Sequence, residues 1–130
     1  MRYLLVLLLL ISPLIFGNWG DTYFCSMNTM MEVKAANEKI TYQLETFKFR
    51  LDENKNAVVF PHIEKEQFFK DFELPITLAN FAENKWTAGE TNLSTYVTFG
   101  VGNFLFSGLN VDDENNLSML NIIADCEEIE

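Results

Sequence analysis

The chain has 130 residues, 48% of them hydrophobic, with 19 acidic against nine basic side chains and a net charge of −10. This is the composition of a folded domain rather than a disordered tract, and its length suits one domain. The acidic balance repels phosphate backbones and anionic lipid head groups, which argues against nucleic-acid and membrane-surface partners.

Residues 1–17 have the layout of an export signal. Arg2 supplies a positive start, residues 3–11 form an unbroken apolar run, and Ser12-Pro13 breaks it before Leu14-Ile15-Phe16-Gly17. Cleavage is expected at Gly17 or Asn18. A spanning helix needs roughly 20 apolar residues, more than this run supplies; retention as an uncleaved anchor is the alternative. Cys25 lies too far downstream for a lipoprotein signal. The expected organisation is a signal peptide over 1–17 and a single β-rich domain over 18–130. The mature protein would be periplasmic or secreted, with no membrane contact after cleavage.

The remainder reads as strands. Residues 19–27 form the first. Residues 39–51 form a long one whose apolar phase switches: Ile40, Tyr42 and Leu44 lie on one parity, Phe47, Phe49 and Leu51 on the other. A bulge near Glu45-Thr46 accounts for the switch. Residues 52–56 make a polar turn, and residues 57–60 return as a hairpin partner. Residues 61–72 are ambiguous between periods; a short helical turn is expected near 63–69. A strand over about 73–82 contains Pro75, which points to an edge or a bulge. Residues 85–90 and 93–99 follow as strands, the second alternating cleanly. Gly100-Val101-Gly102 is a tight connection to a strand over 103–109. Residues 110–116 form an acidic loop, 117–126 the last strand and 127–130 a charged tail.

About eight short strands joined by turns predict a mainly β fold, an antiparallel sheet closed or half closed into a small barrel or clam. Two cysteines in an exported chain read as one disulfide, Cys25–Cys126; two free buried thiols are the alternative. The pairing is supported by phase. Cys25 shares its parity with Trp19, Tyr23 and Met27, and Cys126 with Leu120, Ile122 and Ala124, so both thiols point to the apolar side. Such a bridge would join the first strand to the last, where a meander barrel needs closure.

Catalytic chemistry is hard to assemble from these residues. His62 is the single histidine and has no local nucleophile or metal-spaced partner. No phosphate-cradling loop, redox Cys-x-x-Cys pair or cofactor motif is present. The acidic stretches at 52–56 and 112–116 start like calcium loops but do not complete the ligand set, so solvated turns are expected and no metal residue is assigned. An acid-pair hydrolase stays a distant alternative, because carboxylate spacing is spatial rather than sequential. The aromatics are the remaining candidate site. Trp19, Tyr23, Tyr42, Trp86, Tyr96, Phe104 and Phe106 either fill a barrel interior or line a ligand cavity.

The run Trp19-Gly20-Asp21-Thr22-Tyr23-Phe24-Cys25, the strand Phe47-Lys48-Phe49-Arg50-Leu51-Asp52, the segment Phe104-Leu105-Phe106-Ser107 and the terminal Ala124-Asp125-Cys126 resemble small exported proteins of unknown function from marine bacteria and their phages. That resemblance implies export and one disulfide, and no activity. The functional expectation is a small exported non-enzymatic binding or interaction protein without a cofactor, taking a protein partner or a small apolar ligand. A lipocalin-like carrier of a small apolar ligand is the alternative.

Overall fold

The computed structural model describes residues 18–35, 37–111 and 113–129; the expected export signal lies outside the described residues. The strands are β1 (Thr22–Lys34), β2 (Lys39–Thr41), β3 (Thr46–Asp52), β4 (Ala57–Phe60), β5 (Phe72–Asn80), β6 (Lys85–Glu90), β7 (Thr95–Gly100), β8 (Asn103–Val111) and β9 (Leu117–Ile129). β1 and β3 through β9 pair antiparallel in chain order, and β9 returns to β1, giving a closed eight-stranded barrel. β2 is a ninth strand on the far half of β1.

Strict alternation builds the barrel wall. In β3, Phe47, Phe49 and Leu51 point in while Thr46, Lys48 and Arg50 point out. In β7, Thr95, Val97 and Phe99 are buried between exposed Tyr96 and Thr98. The interior is a contiguous aromatic cluster. Phe104 has ring centroids of Phe47, Phe49, Phe60 and Phe69 at 5.0, 5.7, 6.3 and 5.5 Å. Each such side chain contributes about 1.5–3 kcal/mol by leaving water. Trp86 stacks on Phe99 at 5.2 Å, and its indole N–H is buried with no hydrogen-bond partner among the described residues.

The seam between β1 and β9 is closed covalently. Cys25 and Cys126 face each other in the ladder with Cα atoms 4.0 Å apart and form the disulfide, both sulfurs on the inner side. A crosslink enclosing this much chain stabilises by roughly 4–5 kcal/mol in the chain-entropy account.

Two irregularities shape one end of the barrel. β1 carries a bulge between Met27 and Thr29, which moves the inward phase from Tyr23, Cys25 and Met27 to Met30 and Glu32. Opposite it, the expected strand over 39–51 is interrupted at 42–45, so the phase switch in the sequence is real but divides β2 from β3. β3 leaves β1 at the pair Ser26–Thr46, and β7 leaves β8 at Thr95–Gly108. Beyond that level only four strands continue, in the row Lys39–Val33–Met119–Leu109. They form an upright flap of β2, β1, β9 and β8 above the closed barrel.

Several boundaries differ from expectation. Residues 63–69 form bends rather than a helical turn. Phe69, fully buried, drops into the barrel top against Phe47, Phe60 and Phe106, and that packing outweighs any local helical preference. Leu93 leaves the alternation of β7: it ends a 3-10 turn (Thr91–Leu93) and is exposed. β1 continues seven residues past Met27 because β9 runs beside it throughout. For the same reason Glu127, Glu128 and Ile129 are not a tail but ladder residues paired with Phe24, Tyr23 and Thr22. Pro75 is the last residue pairing with β4, next to a bulge between Ile76 and Leu78, so its missing N–H falls at the margin of the ladder. The β7–β8 hairpin turns through Val101 and Gly102, both at positive φ (48° and 84°). Two such residues make the turn whose twist suits a hairpin, although valine is a poor occupant of the first position.

Candidate binding cup at the barrel mouth

Where the flap rises above the barrel, its inner face bounds a cup of about 390 Å³. The floor is Phe106 and buried Thr95, whose hydroxyl donates to the Leu93 carbonyl at 2.9 Å. The flap supplies Met30 and Glu32 from β1, Gly108 and Asn110 from β8, and Ser118 and Leu120 from β9. Tyr42, just beyond β2, and Phe68, from the loop after β4, close the remaining sides.

Each wall has a local cause. The bulge after Met27 turns Met30 and Glu32 inward, in register with Ile122 and Leu120. Gly108 leaves space that a side chain would take: a Cβ there would lie 3.2 Å from the Phe106 ring. The loop after β4 is pinned at its neck, where the Asp71 N–H donates to the Pro61 carbonyl at 3.1 Å and His62 Nδ1 sits 2.9 Å from the Asp71 carboxylate. The Phe68 N–H donates to Glu45 Oε2 at 3.0 Å, which holds its ring edge-on to Phe106 at 5.4 Å.

Glu32 is the charged side chain among the residues that line this cup. The Tyr42 hydroxyl donates to Glu32 Oε1 at 2.6 Å. That bond, and a second from the Ser118 side chain, hold the carboxyl below its ordinary range; Lys34 adds a weaker pull in the same direction. The same contact raises the Tyr42 phenol, since ionising it would set two negative charges side by side.

The aromatics expected as a site separate into four groups. Tyr42 and Phe106 reach the cup. Tyr23, Trp86 and Phe104 are core: Tyr23 is buried, stacks on Phe49 at 5.1 Å and holds its hydroxyl 3.4 Å from Asn84 Oδ1. Trp19 packs edge-on to Phe81 at 5.1 Å at the foot of the barrel, far from the mouth in the strand order. Tyr96 points outward and lies over its cross-strand partner Gly89, where a Cβ would fall 2.5 Å from the ring. An aromatic covering a glycine in this way restores packing that the glycine lacks. Met30, Glu32, Phe68, Gly108 and Ser118 carry no motif; the signal that finds them is the continuation of β1 past Met27, where the segment Asn28–Val33 contains no turn former but asparagine.

The acidic stretch at 52–56 is a turn in which Asp52 accepts from the Lys55 N–H at 3.0 Å and from Arg50 at 2.9 Å, contacts that lower its carboxyl. Asp112 lies outside the described residues. No family model, curated protein or solved structure matches this chain.

Proposed function

We propose that the protein is an exported, non-enzymatic binding module whose site is the cup at the barrel mouth rather than a deep internal cavity. The observation that carries this reading is the contrast in filling: aromatic rings occupy the barrel below Phe106, while the flap above it encloses open space. A pocket with apolar walls and a few placed polar groups is the usual form of a small-ligand site. The cup holds one carboxylate and no histidine among its described lining residues, so neither an acid pair nor a triad gains support there. A disulfide persists in oxidising compartments, which supports export.

The test uses methionine methyl signals. Met30 lines the cup, whereas Met119 pairs across the flap with Val33 and Leu109 on its outer side. Titration with phenylbutyl probes, as amine, alcohol and carboxylate, should shift the Met30 methyl saturably and leave Met119 unmoved. Leu120→Arg should block it. A Met30 signal indifferent to all three probes overturns the reading.

One observation favours a protein partner as a second reading. Leu105, Leu109, Val111, Leu117, Met119 and Ile123 are each at least 40% exposed on the outer side of β8 and β9. Ser107 and Asn121, hydrogen-bonded to each other, divide this face into two apolar patches, and exposed apolar patches mark interaction surfaces. Native mass spectrometry of protein purified from its own cells separates the two: a retained small mass supports the cup, a second polypeptide the outer face.

A further inference from the structure

Resting on the reading of the mouth as a binding cup, we propose that the ligand is a small organic cation, an amine or guanidinium carried on a short apolar body. Glu32 projects into a space whose other described lining residues are uncharged. It has no salt-bridge partner among the described residues, although Lys34 is near enough to influence it. The Tyr42 and Ser118 hydroxyls fix the carboxylate but do not neutralise it. A carboxylate offers about four acceptor sites, so two donors leave room for a charged one.

The walls favour the same ligand. Tyr42, Phe68 and Phe106 bound the space, and aromatic rings attract cations through their quadrupole. Met30 and Leu120 supply the apolar contact. A neutral apolar guest would take water from Glu32 and return no partner, which is costly for an ionised group. An anionic guest would meet Glu32 directly and a protein of net charge −10 at longer range.

The three phenylbutyl probes rank the chemistries on one shared body. The amine should bind about tenfold more tightly than the alcohol, as a charge-assisted hydrogen bond allows, and the carboxylate should be weakest. Added salt should narrow the gap between amine and alcohol. Glu32→Gln should bring the amine to the alcohol's affinity and leave the alcohol unchanged. Equal binding of amine and alcohol by the wild-type protein overturns the cation inference while the cup stands. A Met30 methyl that moves with none of the probes overturns the cup itself. The wild-type ranking decides between these outcomes even where the variant does not fold.

Discussion

The lower barrel and the upper flap are built by the same strands and the same alternation, yet one is solid and the other open. Around Phe104, eight strands face one another across a small circle, and rings from opposite walls meet. Above Phe106, four strands remain, and the residues facing them are Tyr42 and Phe68. Inward-pointing side chains therefore make a core only where an opposite wall exists at ring-contact distance. Where β3 and β7 drop out, the same inward phase lines an open cup.

Substitution tests this contrast most sharply. Phe104→Ala removes a fully buried ring from the closed section and should cost about 3–5 kcal/mol in denaturant unfolding. Leu120→Ala, partly exposed at the cup, should cost only about 1 kcal/mol, because its surroundings are already open. Equal losses would mean that the flap belongs to the core.

The two tyrosines divide in the same way under alkali. Burial, with Asp21 and Glu128 adding to it, pushes the Tyr23 phenol up to about 12. An unfolded phenol ionises near pH 10, so the stability this group contributes is intact below that pH. It should be lost as pH climbs from about 10 to 12, amounting to roughly 2–3 kcal/mol. Tyr23→Phe should remove this alkaline step, as followed by unfolding at stepped pH. Tyr42, exposed at the cup, should instead ionise without unfolding the barrel, seen as phenolate absorbance in a protein with native circular dichroism.

The smallest effect is at the foot of the barrel. Val101, exposed and held at a φ of 48°, occupies a turn position that asparagine tolerates better. Val101→Asn should raise stability by about 1 kcal/mol and leave probe binding at the mouth unchanged. A change in probe affinity would show that the two ends are coupled.

The barrel was legible from the chain because its strands alternate with period two between clear turns. Phe47 to Leu51, Thr95 to Phe99 and the phase of the two cysteines placed the core and its closing bridge. The cup was not legible, for a physical reason. Its walls depend on a one-residue bulge at Asn28 that turns Met30 and Glu32 inward, and a bulge is fixed by the neighbouring strand rather than by local composition. Residues 61–72 are ambiguous in sequence for a related reason: Phe68 and Phe69, adjacent in the chain, serve the cup and the core, so neither helix nor strand period describes them. Tyr96 shows the converse, an aromatic on a well-predicted strand whose purpose is to cover Gly89.

The Cys25–Cys126 bridge also sets the path of mechanical load. The chain before Cys25 and after Cys126 emerges at the same end of adjacent antiparallel strands, and the two cysteines are separated by 101 in sequence. Tension applied at both ends of the domain runs through one sulfur–sulfur link and bypasses the hydrogen-bonded wall. The barrel and its mouth can stay assembled on a chain under pull, and extension should be confined to the few residues outside the bridge until a reductant opens it.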